Sequence, residues 1–219
     1  MQIEFDIHRA MKAQEYLSKR VLESLDKTPR INPDMVRYIA GFDSSYTSGK
    51  QCAVVVVYDL QAKRIVEEKH VFVDVKVPYI PGLLAFREIP GYIRVYQKLG
   101  VKPDILLVDG HGLAHPRAFG ITTHLGLVLD KPSIGVAKKK LYGEIIERGA
   151  RRLILAHGRI VGEVVKHEGQ DLYVSIGYKI TLEDAVTIVK SLLVKGIKLP
   201  IPIQIADTYS KTIKNKYYK

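Results

Sequence analysis

One cysteine, no tryptophan and no long apolar run mark this 219-residue chain by what it leaves out. Cys52 has no second cysteine with which to form an internal disulfide or a thiolate metal site. No stretch is long and apolar enough to span a bilayer. Met1-Gln2-Ile3-Glu4-Phe5-Asp6 lacks the basic and apolar segments of a secretion signal. These absences predict a protein of a reducing, cytoplasmic compartment that does not engage membranes. A Walker A loop, a GxSxG elbow and an HxE…PCxxC pattern are also missing, which argues against P-loop, α/β-hydrolase and zinc-deaminase chemistry.

What is abundant is positive charge. Thirty-four Lys and Arg face 23 Asp and Glu, for a formal net charge of +11. Such a balance suits a polyanionic partner, most often nucleic acid, although a protein can also be basic without one. Length and an apolar fraction of 47% suffice for one substantial core, and no repeat or linker divides residues 1–219.

Taken in order, residues 5–26 carry an amphipathic helical stripe of Ala10, Ala13, Leu17, Val21 and Leu25. Three strands are expected next: residues 36–42 running into Asp43, then 52–58, then 65–73. The short polar turns between them favour antiparallel hairpins. The prolines of Val77-Pro78-Tyr79-Ile80-Pro81-Gly82 stiffen a loop. A helical region covers Leu83–Leu99, where Pro90-Gly91 must either kink the helix or mark its true start. A buried strand, Ile105–Val108, ends at Asp109 and a glycine-rich turn. A helix over 118–129 and a strand over 133–137 ending at Lys138 follow. Residues 153–156 and 160–165 read as a hairpin, and 172–176 as a short strand. Thr181-Leu182-Glu183-Asp184 resembles a capping box for a helix running to Lys195. Ile203–Lys219 is a last helix with a basic, tyrosine-bearing tail. The fold class is α/β: a five-stranded mixed sheet in the order βββαβαβ, flanked by helices, with an extra β-hairpin and C-terminal helices.

Asp43 and Asp109 end the first and fourth strands, and Glu88 lies early in the helix between them. If those strands are neighbours, the two aspartates share one crevice, as open α/β sheets arrange their sites. A carboxylate cluster suits a hard cation such as Mg²⁺, with Mn²⁺ as a substitute, able to activate water for phosphoryl chemistry. The competing reading is three unrelated surface acids. Lys138 either helps hold a phosphate or belongs, with Lys139 and Lys140, to a solvated basic patch. His111, His115 and His124 lack metal-ligand spacing. His115 could serve near a phosphate, while His124 reads as a buried helix residue. Tyr79 is either a wedge for a base stack or a packed loop tyrosine.

Ile39-Ala40-Gly41-Phe42-Asp43-Ser44-Ser45-Tyr46, Pro78-Tyr79-Ile80-Pro81-Gly82-Leu83-Leu84-Ala85-Phe86-Arg87-Glu88 and Val108-Asp109-Gly110-His111-Gly112 through His115-Pro116-Arg117-Ala118-Phe119-Gly120 closely resemble endonuclease V. Ile134-Gly135-Val136-Ala137-Lys138 with Leu141 and Gly143 does so too, and the matches run in family order from about residue 36 to about 207. The resemblance implies an RNase H-like fold and a Mg²⁺-dependent, monomeric nuclease. Its expected partner is inosine-containing DNA, or RNA, cut one bond beyond the lesion on its 3′ side to leave 3′-hydroxyl and 5′-phosphate ends. It implies metal-binding roles for Asp43, Glu88 and Asp109, active-site roles for Lys138 and His115, and a wedge role for Tyr79. Gly82 and Gly112 would line the lesion pocket, and Arg117 would meet the sugar–phosphate chain. Three positions depart from the family pattern. His111 stands where an amide is expected, Lys139 where a small polar residue is common, and Gln204 where an arginine precedes Ala206-Asp207. Asp207 is therefore only an additional candidate acid. Two other functions compete: an RNase H-like nuclease that selects flaps or junctions, and a basic nucleic-acid-binding module without chemistry.

Overall fold

The computed structural model describes residues 5–217. Its elements are α1 (Ile7–Leu25), β1 (Tyr38–Thr47), β2 (Lys50–Asp59), β3 (Arg64–Asp74), α2 (Leu84–Tyr96), β4 (Ile105–Asp109), α3 (Ile121–Leu129) and β5 (Ser133–Ala137), followed by β6 (Glu144–Arg148), β7 (Arg151–Ala156), β8 (Arg159–His167), β9 (Gln170–Tyr178), α4 (Leu182–Ser191) and α5 (Ile201–Tyr217). All strands join one nine-stranded sheet of order β3-β2-β1-β4-β5-β9-β8-β7-β6. Among them β1–β3 are antiparallel, and β4 and β5 run parallel to β1, as the RNase H-like reading requires.

The sheet is wider than the five strands expected. The expected hairpin of residues 153–165 is present as β7–β8, and it is part of an antiparallel meander, β6–β9, that docks on β5 through Ile134↔Ile176. That pairing covers the otherwise open edge of β5, and long-range edge pairing leaves no periodic mark in sequence. The strand β6 was missed because Glu144-Ile145-Ile146-Glu147-Arg148 does not alternate. Several boundaries also move. The helix α3 starts at Ile121 because Ala118 takes a left-handed backbone (φ 48°) and Gly120 is the N-cap. The helix α4 ends at Ser191, well before Lys195. The helix α2 runs through Pro90 unbroken, and Gly91 lets it lie against Gln51 of β2, where a Cβ would come within 2.3 Å of that side chain. At the C-terminal end, Tyr218 and Lys219 of the expected tail lie outside the described residues.

Alternation decides which residues face which layer. In β4, Leu106 and Val108 enter the core shared with α2 and α3, whereas Ile105 and Leu107 enter the core shared with α4 and the start of α5. In β2, Ala53, Val55 and Val57 face α2, while Cys52, Val54 and Val56 face α5. Burial on both faces explains why that strand is an unbroken apolar run. The helix α5 settles closely on β1 because Gly41 has no side chain: a Cβ there would strike Pro202 backbone at 2.4 Å.

Candidate active site

The parallel register of β1 and β4 ends at Phe42↔Val108. Asp43 and Asp109 are the next residues on each strand, so they stand side by side on one face. Asp43 does not end its strand, as the sequence suggested: β1 continues to Thr47, paired only with β2. What ends there is β4, and its end opens the crevice. The helix α5 roofs it, with Ser210 Oγ donating to Asp43 Oδ2 at 3.0 Å and Lys211 Nζ paired with Asp207 at 2.7 Å.

Charge is crowded here. Burial pushes the Asp43 carboxyl up to about 6, and neighbouring Asp109 adds to the rise; the Ser210 hydrogen bond opposes it and Asp207 reinforces it. Asp109 is likewise raised, chiefly by burial, against the pull of Lys138, whose Nζ lies 3.3 Å from its carboxylate. Asp207 thus joins the two strand acids electrostatically, and Lys138 stands where the sequence placed it.

Glu88 approaches from the opposite face of β1. Even-numbered Tyr46 faces α2, and its hydroxyl donates to Glu88 at 2.7 Å, while Tyr92 donates to the other carboxylate oxygen at 3.0 Å. Burial pushes Glu88 up to about 7; the two hydroxyls hold it back, and Asp43 and Asp109 raise it further. Its backbone carbonyl is fixed by Gln51, which also binds Ser44. The acids therefore straddle one strand, and no group of three or more His, Cys, Asp or Glu converges as a ready cage among the described residues. A cation that needs only one or two carboxylates and keeps its own waters matches this set of hard oxygens. A soft transition metal does not.

Directly beyond Asp109 lies a cavity of about 330 Å³, lined among others by Gly82, Leu84, Gly110, His111, Gly120 and Ile121. Its architecture is backbone-rich. Gly82 adopts φ 78°, and its carbonyl receives three donors: Gln14 Nε2 (3.1 Å), His115 Nε2 (3.0 Å) and Arg117 Nη2 (2.8 Å). Tyr79 is 66% exposed at the rim, on its proline-stiffened loop.

Comparison with known proteins then decides the family. Residues 19–208 match the family model described as Endonuclease V. The chain is 56% identical to an endonuclease V of Desulfurococcus amylolyticus over 95% of both chains. The chain belongs to the endonuclease V family. Solved relatives share the fold: the Bacillus subtilis endonuclease V superposes with a TM-score of 0.87 at 29% identity, covering 100% of this chain and 96% of the other. Ciona intestinalis endonuclease V, solved with a 24-mer DNA containing an inosine followed by a ribo-adenosine, superposes with a TM-score of 0.83 at 27% identity, covering 96% and 98%. As a member of the endonuclease V family, the protein is an endonuclease, a hydrolase of nucleic-acid strands.

Two of the residues singled out from the sequence, Gly112 and Arg117, are engaged elsewhere than expected, while His115 lines the cavity. Gly112 does not line the cavity. Its amide donates to Ser175 at 2.8 Å, and a Cβ would meet the Ile176 carbonyl at 2.0 Å, so glycine is needed for docking the turn on β9. Gly110 and Gly120 line the cavity instead. His115 is buried: Nε2–H donates to Gly82, and Nδ1 accepts from the Arg117 amide. Burial first, then Arg117, holds its ring well below the usual histidine range, at about 4. Its two hydrogen bonds brace the pocket wall. Arg117 is spent on Gln14 (2.6 Å) and Gly82. His111 bridges to the Lys139 carbonyl at 2.9 Å, which ties the Asp109 turn to the Lys138 loop. Sequence reading missed Gln14, Ser210, Lys211 and His157. The first three lie on packing helices, where nothing but tertiary contact marks them. No membrane-spanning helix occurs among the described residues.

Proposed function

We propose that this endonuclease is Mg²⁺-dependent, recognises deaminated purine, chiefly inosine, in DNA or RNA, and cuts one bond beyond the lesion on its 3′ side, leaving 3′-hydroxyl and 5′-phosphate ends. The observation that carries this reading is adjacency: Asp109 belongs to the acidic crevice, and the next residue, Gly110, lines the cavity. A base held in that cavity has its own sugar–phosphate chain beside the acids.

Asp43 and Asp109, side by side where β4 ends against β1, would hold the cation, with Glu88 behind them. When bound, Mg²⁺ neutralises phosphate charge and makes an attacking water more acidic. Lys138 meets a phosphate oxygen with its ammonium. Glu88, its carboxyl raised by burial and held by the Tyr46 and Tyr92 hydroxyls on the far face of β1, supports the pair from behind. The cavity wall supplies selectivity. Gly120 caps α3 without a side chain, leaving the positive end of the helix against the cavity. Hypoxanthine offers a carbonyl acceptor where adenine offers an amine donor, and a wall of fixed polar groups can tell the two apart. Tyr79 fills the gap left by the extruded base. The relative bound to inosine-containing DNA supports the same substrate class.

The test is cleavage of labelled inosine and matched adenosine strands, as DNA and as RNA, with Mg²⁺ or EDTA. Cutting should be confined to inosine strands and vanish in EDTA. Equal cutting of both strands, or none, overturns the reading.

A further inference from the structure

A second recess adjoins the cavity and shares Lys140 and Leu141 with it. It is an open hollow of about 670 Å³ lined by Lys140, Leu141, Tyr142, Gly143, Leu155 and His157 among others. Tyr142 and His157 stack with ring centroids 5.2 Å apart and an interplanar angle of 21°. Both rings are exposed, Tyr142 at 40%.

The pair is held rigidly from three sides. His157 sits in the turn between β7 and β8 with a left-handed backbone (φ 54°), followed by Gly158 at φ 69°. Its Nε2–H donates to the His115 carbonyl at 2.9 Å, tying the stack to the residue that braces the lesion pocket. On the other side Gly143, at φ 97°, presses the loop against β7, where a Cβ would lie 2.9 Å from the Leu155 carbonyl. The start of the same loop is pinned by Lys138 to Asp109 and by His111 to the Lys139 carbonyl.

We infer that this recess is a stacking platform for an unpaired nucleotide flanking the extruded base. The inference rests on the inosine-nuclease reading above. A rigid aromatic plane binds any base through its π-face, and neighbouring lysine charge follows the phosphate chain, so the contact is independent of sequence. Continuity with the pocket through Leu141 fixes the occupant as a near neighbour of the lesion on the same strand. The platform would hold the strand in register with the acids while the pocket holds the base.

The experiment uses the full chain and single strands carrying one inosine, with an abasic analogue placed in turn at each of the neighbouring positions on both sides. Binding is read by fluorescence anisotropy with EDTA present to keep strands intact. The expected result is one position at which base removal weakens wild-type and Tyr142→Phe binding about tenfold, with no such position for Tyr142→Ala, itself about tenfold weaker on the complete strand. Retained melting temperature confirms that the variant folds. Undiminished binding by Tyr142→Ala, or an abasic profile identical to wild type, overturns the platform while leaving inosine-specific cleavage intact. Absence of any wild-type preference for inosine over adenosine strands overturns the function reading and the platform with it.

Discussion

The acidic crevice and the cavity beside it are built on opposite principles. In the crevice, Asp43, Asp109 and Asp207 crowd together, opposed by Lys138 and Lys211 alone among the cations that perturb Asp109. In the cavity, one wall is already matched, while the buried Nδ1 of His111 lacks a partner: the Gly82 carbonyl has three donors, and His115 uses both ring nitrogens. One region gathers like charge that a cation would relieve. The other is largely finished before any ligand arrives. A ligand that brings charge is met by unbalanced charge, and a ligand that brings shape is met by a fixed wall.

The largest effect that tests this contrast is Asp43→Ala. Cleavage of an inosine strand should fall about a thousandfold, with strand affinity kept within about threefold, since phosphate contacts lie elsewhere. Loss of binding in proportion to cleavage would place Asp43 in the finished region instead.

Gly82→Ala attacks the other side. A Cβ would lie 2.8 Å from Arg117 Nη2 on a left-handed backbone, so the three-donor brace must shift. Discrimination between inosine and adenosine strands should fall about tenfold, matching the roughly 1 kcal/mol that alanine costs at such a φ. Cation affinity, measured by Mg²⁺ titration of cleavage, should be unchanged.

The smallest effect is one of stability. The folded state keeps the Asp43 proton up to about pH 6, while an unfolded chain releases it near 3.8. The native state therefore binds the extra proton in between, and stability drains away as pH rises through that window. Asp43→Asn removes this loss. In EDTA its melting temperature should exceed that of the wild type by about 2–4 °C at pH 8, with the gap closing toward pH 4. Mg²⁺ should narrow the gap at pH 8 by stabilising the wild type alone. A variant that is less stable at every pH would show that Asp43 is a packing residue.

Much of the fold was legible because its signals are local. The unbroken run Cys52–Val57, the apolar β4 and the stripe of α1 each name their own element. The width of the sheet was not legible, because β9 finds β5 only through distant pairing. The strand acids could be paired in advance because each follows an apolar run, and the endonuclease V motifs named them, although only Asp109 ends its strand. The face from which Glu88 arrives could not, since it depends on which side of β1 receives α2. Gly112 was misread for a related reason: a glycine demanded by close approach looks the same in sequence whether the neighbour is a ligand or a strand.

The sequence by itself determined the chemistry available. It supplies hard carboxylates with a single thiol, an excess of basic residues, a proline-stiffened tyrosine and glycines following Asp109, because these follow from residue type and short spacing. Only the tertiary structure decided how they are used. The register Phe42↔Val108 sets two aspartates abreast, and α5 brings Asp207 and Ser210 over them. The Gly82 carbonyl gathers Gln14, His115 and Arg117 from separate segments into one wall. Those are contacts between residues far apart in the chain, and the free energy that fixes them comes from burying whole faces of helices and sheet, which no single motif encodes.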